Sequence, residues 1–363
     1  MGLGLMGIGT YLRFLESFTW KNPPYLIFFA TSKCNSKCRH CFYWRQIAES
    51  AGKRELSLKE IEEIAGKYGK LMYLSIGGGE PLLRNDIPEI CLAFHRHTGV
   101  SLITITTNGL LPRRISKGVE KALIKCPEVQ FTVPLSIDGI LERQDSIRGV
   151  KGCFGKVMQT YKELAGLQEK YANLAIDVGT VVASYNQDRI EEVLEFVEKN
   201  MPAVRNHGIG FARGPTKEEK AKDVSAERLR QITAFAAKAK ERNRRQKSFS
   251  GRLFDALSLA ENDIALRFAE GKCGGWNCFA GQKFVEINEV GEVFPCEMLF
   301  EKIGSLRESG YDTGKILKSE KAKAAIAKIK SKRCNCTFEC AIANSIVYSP
   351  GKYPGILSKM GKI

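Results

Sequence analysis

Tyr25-Leu26-Ile27-Phe28-Phe29-Ala30-Thr31-Ser32-Lys33-Cys34-Asn35-Ser36-Lys37-Cys38-Arg39-His40-Cys41 holds the decision about this chain's fold. Its first seven residues are almost continuously apolar, as a strand buried on both faces should be. The loop that follows packs three cysteines into eight residues. Thiolates at that density call for a soft metal or an iron–sulfur cluster. There are three, not four, and a 4Fe–4S cube held by three thiolates keeps one iron for a ligand that is not protein. Zinc is the rival reading, but a zinc site normally closes with four ligands. Of the four histidines, only His40 lies near this trio in sequence. Disulfides suit small secreted domains rather than a long chain without a cleavable signal.

Outward from this stretch, strand and helix patterns alternate. Strands are predicted at 25–31, 71–76, 102–106, 129–137, 176–182 and 209–212. Helices are predicted from Ser57, where Glu60 completes a capping box, and at 87–98, 115–124, 154–171 and 189–198. Six βα units in succession imply a parallel sheet with right-handed crossovers. From 214 to 271 the strand signal stops, and basic helices are predicted at 225–247 and 253–270. Beyond Lys272, short strands at 283–288 and 292–294 flank the turn Glu289-Val290-Gly291 and read as a hairpin.

Three further motifs end predicted strands: Gly77-Gly78-Gly79-Glu80-Pro81, Thr106-Thr107-Asn108-Gly109 and Ser136-Ile137-Asp138-Gly139. Each alone could be a polar turn. Together with the C-x3-C-x2-C loop they resemble the radical S-adenosylmethionine (SAM) superfamily. The resemblance implies an α/β fold, a partial (β/α)6 TIM-type barrel with its chemistry at the C-terminal strand ends. It implies a 4Fe–4S cluster on Cys34, Cys38 and Cys41, whose open iron chelates the amino and carboxylate groups of SAM. Reductive cleavage would then release a 5′-deoxyadenosyl radical. It also implies that Gly78, Gly79, Glu80 and Pro81 meet the SAM ammonium, that Asn108 and Asp138 line the pocket, and that Ser136 and Arg148 contact ribose and carboxylate. Phe211 and Arg213 are candidates for contact with adenine or substrate.

A second cysteine group runs Cys273-x4-Cys278-x17-Cys296, then Cys334-x-Cys336-x3-Cys340. It resembles the SPASM and twitch extensions of that superfamily. The resemblance implies a small C-terminal cysteine-rich domain with one auxiliary 4Fe–4S cluster on Cys273, Cys278, Cys296 and Cys340. Cys334 and Cys336 lack partners for a separate site and stay open as further ligands, and a zinc knuckle is the rival. Glu297, next to Cys296, is the candidate base for substrate oxidation. Cys91, Cys126 and Cys153 read as small buried hydrophobes.

The expected division is an apolar N-terminal segment (1–24), the barrel (25–214), a basic helical connector (215–271), the auxiliary-cluster domain (272–345) and a tail (346–363). A length of 363 residues and 44% hydrophobic content suit a globular protein with a full core. No run of 18 apolar residues exists, so nothing in the sequence is expected to span a membrane. Clustered thiols with few histidines point to a cytoplasmic setting. The apolar start is expected to pack on the barrel floor or to lie on a membrane surface.

The net charge of +16 is concentrated at 217–247 and 315–333. It fits a solvated helix surface, and as partners an acidic electron donor of flavodoxin or ferredoxin type or anionic headgroups. The basic stretches carry no interleaved aromatics, which argues against single-stranded nucleic acid. The substrate is expected to be a peptide or protein side chain, or a lipid. Only 24 residues precede the first strand, an expectation against an N-terminal leader-binding domain. The contrasting class is a non-catalytic, metal-stabilised nucleic-acid binder, which would leave Gly77-Gly78-Gly79-Glu80-Pro81 without a purpose.

Overall fold

The computed structural model describes residues 8–242, 249–272, 276–331, 334 and 336–362. Cys273 lies outside the described residues. In chain order the elements are α1 (Ile8–Glu16), β1 (Tyr25–Thr31), α2 (Trp44–Ala48), α3 (Leu58–Tyr68), β2 (Tyr73–Gly78), α4 (Ile87–Thr98), β3 (Leu102–Ile105), α5 (Pro112–Lys125), β4 (Gln130–Ser136), α6 (Glu142–Arg148), α7 (Cys153–Lys170), β5 (Leu174–Val182), α8 (Ile190–Asn200) and β6 (Val204–Phe211). There follow α9 (Ala226–Arg242), α10 (Phe249–Ala269), β7 (Phe284–Ile287), β8 (Glu292–Phe294), β9 (Gly304–Ser305), α11 (Thr313–Leu317), α12 (Glu320–Ser331), α13 (Glu339–Val347) and α14 (Tyr353–Lys362).

The sheet runs β6-β5-β4-β3-β2-β1-β7-β8-β9. Every pair from β6 to β1 is parallel, and β6 stays an edge, so this is an open partial barrel. β1 is buried at all seven positions because it has cover on both faces. Leu26, Phe28 and Ala30 join the core beneath the outer helices. Tyr25, Ile27 and Phe29 join a second core inside the barrel with Phe284, Cys296 and Phe338. The capping box at the start of α3 forms as expected: the Glu60 amide donates to the Ser57 hydroxyl, and the Ser57 amide donates to the Glu60 carboxylate.

The hairpin of β7 and β8 continues this sheet. β7 pairs in parallel with β1, Tyr25 opposite Phe284 and Phe28 opposite Ile287, and only β8 turns antiparallel. The inner face opens where side chains are small. Ser136, Gly179 and Gly208 lie in register on β4, β5 and β6, and a Cβ on Gly179 would touch nothing within 4 Å.

His207 on β6 shares a hydrogen bond with the Thr180 hydroxyl at 2.7 Å. Burial pushes it down to about 3 from its ordinary 6.5; Lys240 adds to the shift and Asp138 opposes it. A depressed histidine stabilises the fold above pH 6.5 and loses that contribution as the pH falls toward its folded value, because the unfolded chain takes up the proton first. The urea midpoint is therefore expected to fall between about pH 7.5 and about pH 5, and His207→Gln to narrow that difference.

Candidate metal centre

The three-thiol loop leaves the C-terminal end of β1 and is tied on both sides. On one side is the glycine-rich exit of β2. The Gly79 amide donates to the Thr31 carbonyl and the Glu80 amide to the Lys33 carbonyl, each at 2.8 Å. No side chain fits there. A Cβ on Gly79 would lie 2.7 Å from the Lys33 carbonyl carbon and closer still to its oxygen. Gly78 has φ +104°, and a Cβ there would meet the Thr31 oxygen at 2.5 Å. Glu55 holds the same root of the loop from α3's side, accepting from the Thr31 hydroxyl at 2.6 Å and the Ser32 amide at 3.1 Å.

Glu80 is turned into the protein. One of its oxygens accepts from the Thr107 hydroxyl at 2.9 Å and the Leu82 amide at 3.2 Å, the other from the Asn108 amide at 2.7 Å. It is only 1% exposed, and burial raises it to about 7 against those donors. The carboxylate expected to meet the ammonium thus also braces the exits of β2 and β3. Pro81 is buried in the turn that follows. Asn108 carries the brace on to the loop: its Nδ2 donates to the Asn35 Oδ1 at 2.7 Å and approaches the Cys34 sulfur at 3.8 Å.

On the other side the loop hydrogen-bonds to the end of α6. The Lys37 amide and Ser36 hydroxyl donate to the Arg148 carbonyl at 2.9 and 3.0 Å, and the Arg39 amide to the Ile147 carbonyl at 3.1 Å. The Arg148 guanidinium is buried. It pairs with Asp138 at 2.5 Å and donates to the Cys38 sulfur at 3.5 Å. Asp138, with no exposed surface, also accepts from the Val181 amide at 2.8 Å. Asp138 and Arg148, expected as ligand contacts, pair with each other and hold the loop, while the Arg148 Nε has no hydrogen-bond partner among the described residues. Ser136 is different. Its hydroxyl has no protein partner among the described residues, and it faces the inner side of β4.

The donor set fits a three-thiol cluster. Burial raises Cys34 to about 11 and Cys41 to about 12, and charge on Cys38 raises both further. Such thiols hold their protons until a metal replaces them. His40 does not close the set. Its Nδ1 is bonded to the Tyr185 hydroxyl at 2.8 Å, and its Nε2 faces Asp138 at 3.6 Å. Among the described residues, no three His, Cys, Asp or Glu side chains converge on a point for a single ion. A cube, whose ligands bind different irons, spreads its thiolates more widely.

In the second group, Cys278 and Cys334 influence one another's protonation, and the charge of Cys336 raises Cys296, as burial does more strongly. The two cysteines left open in the sequence are thus electrostatic neighbours of Cys278 and Cys296. Cys340, on α13, is raised by burial to about 12, with the charges of Glu297 and Glu339 adding and Tyr25 and Arg213 opposing. Beside it Arg213, just past β6, pairs with Glu339 at 2.6 Å, lies 3.6 Å from Glu297 and stacks on Phe338 at 4.7 Å. Burial lifts Glu297 to about 7, opposed by Arg213. Phe211 is buried at the end of β6. Glu339 escapes prediction because nothing in Phe338-Glu339-Cys340 marks it. Its one signal is Gly210, which leaves the room its carboxylate occupies.

Comparison with known proteins agrees with this geometry. Residues 29–197 match the Radical SAM superfamily. Fe-coproporphyrin III synthase of Methanosarcina barkeri is 28% identical over 223 residues, covering 60% of this chain and 51% of that protein. Mycofactocin maturase MftC of Mycolicibacterium smegmatis is 28% identical over 291 residues, covering 76% and 64%. The chain thus spans about half the length of the first relative and less than two thirds of the second. Streptococcus suis SuiB bound to its precursor peptide SuiA shares the fold, with TM-score 0.60 at 18% identity over 89% of this chain and 70% of that one. The segment from β1 to α8 is thus a radical SAM domain.

Proposed function

We propose that this chain is a radical SAM enzyme that oxidises a substrate carbon or forms a bond at it. When bound, a 4Fe–4S cluster and SAM supply a 5′-deoxyadenosyl radical that takes hydrogen from an unactivated C–H. Cys34, Cys38 and Cys41 would hold that cluster. The backbone of Gly78 and Gly79 would receive the SAM ammonium, and the Ser136 hydroxyl the ribose. Glu80, Asn108, Asp138 and Arg148 keep the loop and strand exits in place. Cys278, Cys296, Cys334 and Cys336, with Cys273 and Cys340 as further candidates, would hold the auxiliary cluster. Glu297, raised to about 7, suits a base that takes a proton during oxidation. An acidic flavodoxin or ferredoxin fits the +16 charge as electron donor.

The carrying observation is the three-thiol loop itself, anchored to β2's exit and α6's end while both nitrogens of His40 are engaged elsewhere. Anaerobic reconstitution is expected to load about eight irons per chain, two cubes' worth, and reduction to yield 5′-deoxyadenosine from SAM. Replacing Cys34, Cys38 and Cys41 with alanine should leave about four irons and no 5′-deoxyadenosine. A protein that binds zinc alone and never cleaves SAM would end this reading.

For the substrate, a peptide or protein side chain is the better supported class. Gly179 and Gly208 keep side chains off that part of the barrel's inner face, where a Cβ on Gly179 would touch nothing within 4 Å, and SuiB, which shares the fold, is bound to a precursor peptide.

A further inference from the structure

The barrel floor carries a surface that the radical chemistry does not use. α1 crosses this floor: Arg13 donates to the carbonyls of Leu71 and Thr98, on the loops that enter β2 and β3, at 3.1 and 3.2 Å. Its inner side and the turn that follows are seated on Tyr348, through the rings of Phe14 and Phe18 and a 2.8 Å hydrogen bond between the Ser17 and Tyr348 hydroxyls. Its outer side is not covered. Leu12 is 56% exposed and Leu15, one turn on, is 64% exposed.

Beside these leucines lie two adjoining cavities of about 350 and 420 Å³, both lined by Lys21 and Asn22. Lys283 and Lys318 complete the first, Lys67 and Lys70 the second. Glu16 is the acid at this edge and is paired with Lys70 at 2.8 Å. Lys21 and Lys318 have no acidic partner among the described residues.

Exposed leucines on the same floor as the cavity lysines restrict what can cover both. A second copy of the chain would bring lysine against lysine. A polyanion such as nucleic acid would take the lysines and leave the leucines in water. A phospholipid surface takes both, its phosphates receiving the lysines while the leucines enter the acyl boundary. We infer that the barrel floor is a contact for anionic membranes, with α1 lying in the interface and Lys21, Lys318 and their neighbours engaging headgroup phosphates. The contact is peripheral, since no helix among the described residues is long and apolar enough to cross a membrane. It also sets an orientation. The floor is the opposite end of the strands from the three-thiol loop, so the barrel mouth faces away from the bilayer and toward substrates in solution.

The test is flotation of the reconstituted full chain with vesicles of phosphatidylcholine alone or with about one third phosphatidylglycerol. Binding should be at least tenfold greater to the anionic vesicles and should weaken with salt. Leu12→Asp with Leu15→Asp, and separately Lys21→Glu with Lys318→Glu, should each reduce it at least tenfold while circular dichroism and iron content stay at wild-type values. If the aspartates disturb folding, Leu12→Ser with Leu15→Ser serves instead. No binding to anionic vesicles, or binding indifferent to both pairs, overturns the inference. So does a vesicle-free dimer, seen by sedimentation, that the leucine variants dissolve. SAM cleavage by the same preparations without vesicles tests the enzymatic proposal separately, so either can fail alone.

Discussion

Gly79→Ala is expected to leave the chain unable to assemble its three-thiol centre. The added methyl group would lie 2.7 Å from the Lys33 carbonyl carbon and nearer its oxygen, against backbone rather than a side chain that can rotate away. Overpacking commonly costs about 1–3 kcal/mol when neighbours yield. Here the neighbour is the carbonyl that accepts the Glu80 amide, one residue before Cys34, so yielding means moving the thiols themselves. Iron content after reconstitution should fall by about one cube, and 5′-deoxyadenosine formation should fall below detection. Gly77→Ala is the control. Its methyl would meet only the Phe29 ring, at 3.8 Å, an ordinary contact, and this variant should load and turn over SAM. Equal behaviour of the two variants would show that the β2 exit does not position the loop.

The second large effect concerns Asp138. Replacing it with alanine strands the Arg148 guanidinium in a site 7% exposed and leaves the Val181 amide without its acceptor. Breaking a buried pair from one side costs about 3–5 kcal/mol. The melting temperature should drop sharply in the iron-free protein as well as in the loaded one, because the damage does not depend on metal. Asp138→Leu combined with Arg148→Met removes both charges and should recover most of that loss. The double variant should still assemble the cluster poorly, since the contact to the Cys38 sulfur goes with the arginine. Full recovery of both stability and iron would reduce this pair to a packing feature with no bearing on the thiols.

How far the site could be read from sequence depended on whether its partners were local. The both-face burial of β1 is legible because seven successive apolar residues have few other uses, and the Ser57 and Glu60 cap because its partners stand three residues apart. Gly78 and Gly79 are legible as places of close approach. For Glu80, an acid after glycines reads as a ligand, and its hydrogen bonds from Thr107, Leu82 and Asn108 are not legible because two of those donors lie on another strand exit. The pairing of Arg148 with Asp138 is hidden in the same way. The helix Glu142–Arg148 is missed although Gly149, at φ +66° as its C-cap, was the available signal. The alignment of β7 beside β1 is invisible, since nothing local in four residues names a strand more than two hundred positions away. For the same reason sequence spacing pointed to Cys340 and left Cys334 and Cys336 open, since their electrostatic coupling to Cys278 and Cys296 arises across the hairpin and α12.

That parallel alignment of β7 with β1 has a mechanical effect. The trio beginning at Cys34 follows β1, and Cys296 follows the hairpin that β7 opens, so both hang from one continuous hydrogen-bonded ladder. No hinge intervenes between these two strands. Any electron exchanged between the two thiol groups would cross a gap whose two ends are fixed to that same ladder.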